Sequence, residues 1–198
     1  MNNKEDIYKI LGASNHAISE RAKDDFYSTP PEAVEALLNY LPKINVNLPN
    51  LIIEPGVGNG AIAYPLSKSG FEVIPFDIVD RGYPNTIILD WLKVKARPEV
   101  ELAIIANFPY KNILKHTEVS LNILNDGEYL IELTKIQFLE GLQRRELFDR
   151  QPPKFVLVFS KRIKCLTNGI DDGNSSAICF IWTIFEKGFK GMPMIGWL

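Results

Sequence analysis

The 198-residue sequence is poor in sulfur and histidine: it has two cysteines, Cys165 and Cys179, and two histidines, His16 and His116. Two cysteines make no disulfide framework, and both lie in apolar, strand-like runs, so reduced core thiols are expected. Nor do these four residues show a metal-ligand spacing, and no metal is expected. An apolar run of about 18 residues is also lacking, which argues against a membrane span. The opening stretch, MNNKEDIYKILG, has no apolar core followed by a small-residue cleavage site, so it does not read as a secretory signal. Bulk positive charge is missing too: 22 Lys/Arg against 24 Asp/Glu give a net −2, which excludes adhesion to nucleic acid by net charge alone. The distribution is uneven, however. Residues 1–134 carry 12 Lys/Arg against 18 Asp/Glu (−6), and residues 135–198 carry 10 against 6 (+4). A polyanion-binding face would therefore draw on Arg144, Arg145, Lys161, Arg162 and Lys164; an evenly solvated surface is the plainer reading of the same charges.

What is present is a regular alternation. Residues 1–24 are polar and mixed, and read as an arm or a short helix ahead of a single domain at 25–198. In Glu32–Leu41, Val34, Leu37, Leu38 and Leu41 have helical spacing, and the Thr29-Pro30-Pro31-Glu32 start suits an N-cap with proline in the first turn. Leu51–Ile53 is a wholly apolar run, as in a buried parallel strand, and is followed by a helical stretch to about Ser69. Strands are expected at Phe71–Phe76, Thr86–Leu89, Leu102–Ala106 and Glu128–Leu133, and helices at Ile113–Leu124 and Ile136–Phe148. Two strand-like runs, Phe155–Phe159 and Ala177–Phe185, close the chain without a helix between them. The pattern predicts an α/β, Rossmann-like, doubly wound and mainly parallel sheet with a C-terminal antiparallel hairpin.

Open α/β sheets bind ligands beyond the carboxyl ends of their strands, and the unusual clusters all fall there. Gly56, Gly58 and Gly60 follow the first buried strand and precede a helix, where glycines let the backbone turn sharply and approach a ligand. Gly56, Gly58 and Ala61 also satisfy the looser dinucleotide fingerprint. Asp77 stands where either a nicotinamide cofactor or S-adenosylmethionine would place a ribose-binding acid. Glu54-Pro55 tilts the balance, since a carboxylate there would face an amino and sulfonium group but repel a pyrophosphate; Glu54 could instead simply cap a helix. Asp90 can accept from an adenine amino group and Trp91 can pack on the ring; a turn aspartate and a core tryptophan would look the same in sequence. Asn107-Phe108-Pro109-Tyr110 ends a strand of five apolar residues. The Asn107 side-chain oxygen and the Phe108 carbonyl offer two adjacent acceptors, Pro109 stiffens the turn and Tyr110 supplies a flat face. Together they suit an aromatic amine on an extruded base. Neither histidine falls at such a motif.

These residues together resemble the class I S-adenosylmethionine-dependent methyltransferases, and among them the amino-methyltransferases of adenine. Glu54–Gly60 is similar to their cofactor loop and Asn107–Tyr110 to their Asn-Pro-Pro-Tyr catalytic loop. Thr29–Glu32 is similar to the cofactor-contacting segment that precedes the glycine loop in one circular order of the DNA enzymes. The segments Gln137–Gly141, Pro152-Pro153, Phe159–Arg162 and Ile195–Trp197 resemble small phage and prophage methyltransferases. The resemblance implies the class I methyltransferase fold and S-adenosyl-L-methionine as cofactor, held by Tyr27, Thr29, Pro30, Glu54, Pro55, Gly56, Gly58, Gly60, Asp77, Ile78, Asp90 and Trp91. It implies catalysis by Asn107, Phe108, Pro109 and Tyr110, adenine in DNA as the acceptor, and a cytoplasmic location. Arg144, Arg145, Lys161 and Arg162 would meet the nucleic acid. Phe108 stands in place of the first proline, as in ribosomal RNA adenine dimethyltransferases, so RNA stays open as a partner. A methyltransferase of protein glutamine side chains would use a similar loop, because an amide nitrogen poses the same problem, and a non-catalytic relative that binds the cofactor would keep the glycine loop. No separate target-recognition domain is visible, so sequence choice would fall to short loops, to the arm, to a specificity partner or to a homo-oligomer.

Overall fold

The computed structural model describes residues 26–170, 173 and 178–198; the arm expected at 1–24 and Ala177, the expected start of the last strand, lie outside the described residues. In chain order the elements are β1 (Tyr27–Ser28), α1 (Pro31–Tyr40), β2 (Leu51–Pro55), α2 (Ala63–Lys68), β3 (Glu72–Asp77), β4 (Ile87–Ile88), β5 (Leu102–Ala106), α3 (Ile113–Ile123) and β6 (Tyr129–Lys135). These are followed by α4 (Leu142–Arg150), β7 (Phe155–Val158), β8 (Leu166–Thr167), β9 (Phe180–Glu186) and β10 (Met194–Trp197). Among the described residues no helix is long and apolar enough to cross a membrane.

Among the described residues eight strands form one sheet in the order β10-β7-β9-β6-β5-β2-β3-β4. All pair in parallel except β9, which runs antiparallel to both β6 and β7. The mainly parallel, doubly wound arrangement is the expected one. Strands β2 and β5 are apolar along most of their length because both faces of the sheet are covered. On one face Ile52, Ala103, Ile105, Ile131 and Leu133 pack with Val34 and Leu37 of α1. On the other, Ile53, Ile104, Ala106 and Leu130 pack with Ile113 and Leu121 of α3. Trp182, fully buried in β9, donates its Nε1 proton to the Ala33 carbonyl at 2.9 Å and so ties α1 to the sheet. A buried indole needs such a partner.

Three expectations change. The antiparallel pairing of β7 with β9 holds, but not as a terminal hairpin: β9 lies between β6 and β7, and the chain between them carries β8. A further strand, β10, extends the edge in parallel with β7. Its Gly196 hides the strand pattern, yet a Cβ there would lie 2.7 Å from the Tyr40 hydroxyl and 2.9 Å from a Leu157 methyl. The helix expected at 136–148 is two pieces. Ile136–Leu139 is a 3₁₀ turn, Gly141 breaks the path with φ 102°, and α4 starts only at Leu142. Finally, α1 starts with Pro30 as N-cap and Pro31 in the first turn, and no side chain caps it. The Thr29 hydroxyl is engaged elsewhere.

Candidate cofactor and acceptor site

Strand β2 sits between β3 and β5, so the winding reverses there, and the carboxyl ends of these strands flank an opening. A cavity of about 490 Å³ fills it, within the range of roughly 300–1,000 Å³ usual for small-molecule sites. Of the residues singled out in the sequence, Tyr27, Thr29, Glu54, Pro55, Gly56, Asp77, Ile78, Asp90, Trp91, Asn107, Phe108 and Pro109 line it. Pro30, Gly58, Gly60 and Tyr110 do not.

The glycine loop is built around a carboxylate. Asp77, buried at the end of β3, accepts from the Gly58 N–H at 2.8 Å and from the Val79 N–H at 3.0 Å. Gly58 thus shapes the loop behind the cavity wall, and the Phe26 ring would lie 2.5 Å from a Cβ added there. Gly56 differs: its φ is +71° and a Cβ built on it would meet nothing within 4 Å, because that side faces the cavity. It leaves backbone bare for a ligand to approach.

Glu54 is the most unusual group. Its carboxyl is buried at the end of β2; one oxygen takes a backbone hydrogen bond from Ala63 at the start of α2, and the other, Oε2, has no partner among the described residues. A helix-capping role is therefore half true. Burial, reinforced by the nearby Asp77 charge, pushes the carboxyl well above its ordinary value, against the Ala63 bond. A buried carboxyl with an orphaned oxygen in a cavity wall is costly unless a cation or donor meets it.

Asp90 and Trp91 each line the cavity and also do a structural job. Asp90 accepts from the Leu92 N–H at 3.1 Å, as a turn aspartate does, and its other oxygen lies 3.7 Å from the exposed Lys93 ammonium. Trp91 is largely core: its Nε1 donates to the Ser120 hydroxyl at 2.9 Å and its ring packs edge-on to Phe76.

At the end of β5 the Asn107 amide is tied across the chain. Its Nδ2 donates to the Tyr27 carbonyl at 2.8 Å and to the Thr29 hydroxyl oxygen at 3.1 Å. Its Oδ1 accepts from the Tyr110 hydroxyl at 3.2 Å. A carbonyl cannot donate, so the Tyr27 contact fixes which end of the amide is nitrogen. The Tyr110 ring does not face the cavity, contrary to the expectation from sequence. It packs against Tyr27 and Phe180, with the Lys135 ammonium 4.4 Å from its centroid. Beside it lies Cys165, whose thiol is pushed up to about 12 by burial and stays protonated. Phe108 is buried and stacks on His116 at 5.0 Å.

Several lining residues were missed from sequence. His116 is one of them: Nδ1 is 2.9 Å from the Asn112 carbonyl and must carry the proton, leaving Nε2 as an acceptor. Burial lowers its pKa and favours the neutral ring. The four-residue step from Asn112 along α3 was the signal available. Phe26, Asn59, Arg81 and Lys111 also line the cavity. Asn59 accepts from the Ser28 hydroxyl at 3.0 Å, and the Arg81 guanidinium lies 4.8 Å above the Phe26 ring. Strand β1, next to Phe26, is paired antiparallel with β8.

The expected basic face is divided. Lys161 and Arg162 are exposed in the segment after the carboxyl end of β7. Arg144 folds back to donate to the Gln137 and Glu140 carbonyls, and Arg145 pairs with Asp149. A second concavity, at the amino ends of β5 and β6, is built around the Arg97–Glu128 ion pair, with Glu99, Glu101 and Asp126 also in its wall.

No family model matches the sequence, and no curated protein matches it. Solved structures do. A candidate RNA methyltransferase from Pyrococcus horikoshii superposes over 94% of this chain and 99% of its own, with TM-score 0.63 and 15% identity. A candidate class I S-adenosylmethionine-dependent methyltransferase from Listeria monocytogenes covers 98% of this chain and 71% of its own, with TM-score 0.58 and 14% identity. The chain has the class I methyltransferase fold. The magnesium protoporphyrin IX methyltransferase of Synechocystis, with S-adenosylmethionine bound, shares this fold over 79% of both chains at TM-score 0.52 and 15% identity. At such identities the likeness is one of architecture.

Proposed function

We propose that the protein is an S-adenosylmethionine-dependent methyltransferase that acts on the exocyclic amino group of adenine in DNA. The observation that carries this reading is the state of Asn107. Both amide protons are taken by Tyr27 and Thr29, so the only capacity left on the side chain is acceptor capacity on Oδ1. A ligand that meets Asn107 must therefore bring a donor, as an amino group does.

The residues present suit the cofactor. The orphaned Glu54 Oε2 fits a cationic group, the bare side of Gly56 leaves room for a ligand against the backbone, and Asp77 and Asp90 offer acceptors for hydroxyl and amino donors. When bound, S-adenosylmethionine supplies a methyl group on a sulfonium, already activated for displacement. The chain's own task is alignment and exclusion of water. Asn107 Oδ1 and the Phe108 carbonyl accept the two amine protons, which favours a pyramidal nitrogen and stabilises the positive charge that grows on it. No strong base has to sit at the nitrogen, since the proton can leave after transfer.

RNA is the second reading. It is favoured by Phe108, whose buried ring occupies the first proline's place in the loop, and by the fold shared with a candidate RNA methyltransferase. The deciding experiment is transfer of labelled methyl from S-adenosylmethionine to separate pools of double-stranded DNA, single-stranded DNA, RNA and protein. N6-methyladenine recovered from DNA is the expected result. Label confined to RNA or to protein would overturn the DNA assignment, and a chain that binds no S-adenosylmethionine would overturn the reading as a whole.

A further inference from the structure

Four consecutive residues, Phe26 to Thr29, touch both halves of the site. Phe26 lies over Gly58, and the Ser28 hydroxyl donates to Asn59, so the segment grips the glycine loop. The Tyr27 carbonyl and the Thr29 hydroxyl oxygen then take the two protons of Asn107, about eighty positions further on. Thr29 is itself buried, and its hydroxyl meets the Asn107 amide in a partly buried position in the cavity wall. On the other side β8 pairs with Tyr27 and Ser28, and the Asn168 N–H donates to the Phe26 carbonyl at 3.0 Å, which fixes the segment from behind.

We propose that Thr29 is a positioning residue for Asn107 rather than a cofactor contact: its hydroxyl oxygen holds the amide in the one orientation that presents Oδ1 to the acceptor amine. This rests on the function proposed above. Two acceptors fix the amide better than one. Without Thr29 the amide keeps the Tyr27 carbonyl on Nδ2 and the Tyr110 hydroxyl on Oδ1, two contacts in place of three, and Oδ1 is held less tightly. Because the same four residues grip the glycine loop, the orientation of Asn107 and the shape of the cofactor site are set together.

The test compares Thr29→Val, which keeps the shape and removes the acceptor, with Thr29→Ser, which restores it. Turnover at saturating acceptor should fall about ten- to a hundredfold in the valine variant, as expected when a reacting group is positioned less precisely. Its Kd for S-adenosylmethionine, by calorimetry, should stay within about threefold of the parent, which also reports that the variant is folded; Thr29→Ala serves in the same role if the valine variant does not fold. The serine variant should recover most of the turnover. A separate readout needs no activity at all. In a ¹⁵N-labelled sample the Asn107 side-chain amide signal, identified by its loss in Asn107→Asp, should shift and exchange faster in Thr29→Val and return in Thr29→Ser. A valine variant that loses cofactor affinity while keeping turnover would make Thr29 a cofactor contact and overturn the proposal. An unmoved Asn107 amide signal would overturn it as well. A parent protein that methylates nothing, with the amide signal still shifting in Thr29→Val, would instead overturn the proposed function and leave the geometry standing.

Discussion

Glu132 lies fully buried in the middle of β6, level with Ala106 of β5 and Thr183 of β9. Among the described residues its side chain meets one polar partner, the Thr117 hydroxyl of α3, at 2.9 Å and 3.1 Å from its two oxygens. That hydroxyl is also 2.9 Å from the Ile113 carbonyl. Thr117 has one proton to give, and a carbonyl can only accept. If the proton goes to Ile113, the one between Thr117 and Glu132 must come from the carboxyl. Burial accordingly raises the Glu132 pKa to about 8, with the Thr117 bond opposing it. The consequence for folding has a definite sign. Below about pH 4.5 the carboxyl is protonated in both states and costs nothing. Above that value the unfolded chain sheds the proton while the folded chain keeps it, so stability falls with rising pH until the folded group titrates near pH 8. At pH 7 the loss is about 3 kcal/mol, at roughly 1.36 kcal/mol per pH unit. Glu132→Gln keeps the shape, donates to Thr117 and does not titrate. It should therefore be more stable than the parent at pH 7 by about 3 kcal/mol, or roughly 6–12 °C in Tm for a domain of this size. Unfolding of both proteins by urea or heat at pH 4, 6, 7 and 8 is the assay. The gap should be near zero at pH 4 and widest at pH 8. A gap independent of pH, or a glutamine variant less stable at pH 7, would refute the reasoning.

Three further outcomes test the site. Asn107→Ala should lower turnover by orders of magnitude while S-adenosylmethionine still binds; near parental turnover in a methyl-transfer assay would remove Asn107 from the chemistry. Asp77→Ala should weaken cofactor binding at least about tenfold, because Asp77 lines the cavity and its two oxygens tie Gly58 and Val79; unchanged affinity by calorimetry would show that neither role counts. Burial favours the protonated form of Glu54, and a cation arriving beside it favours ionisation. Binding of S-adenosylmethionine near pH 7 should therefore release a proton from the protein and tighten as pH rises, an effect seen by calorimetry in buffers of different ionisation enthalpy and absent in Glu54→Gln. Proton release that persists in the glutamine variant would assign it to another group.

The sheet was legible where strands are buried on both faces. Leu51–Ile53 and Leu102–Ala106 are apolar at every position because helices cover both sides. Legibility failed where backbone conformation overrode pattern. The apolar spacing through Ile136–Phe148 is continuous, yet Gly141 at φ 102° ends one turn and starts another helix. The reverse holds for Met194–Trp197, where a glycine and exposed Met194, Ile195 and Trp197 conceal an edge strand. Its partner β7 lies about 40 residues earlier, and residue preferences at a sheet edge differ from those of a central strand.

The site shows the same division for a different reason. The rule that ligands bind beyond strand ends places Glu54, Asp77, Asp90 and Asn107 around one cavity, since each follows a strand that the pattern locates. Tyr110 escapes that rule because its position in the loop says nothing of its rotamer. The ring turns away to pack between Tyr27 and Phe180, partners supplied by opposite ends of the chain, and only the hydroxyl returns to Asn107. Thr29 reads as a helix cap and a cofactor contact for a similar reason: local sequence offers Pro30 and Pro31 beside it, and nothing local announces an amide 78 positions away. Strand ends can be read along the chain because each is a local event. Which hydroxyl completes which amide is settled by contacts between segments, and at Asn107 those contacts decide what the side chain can still bind.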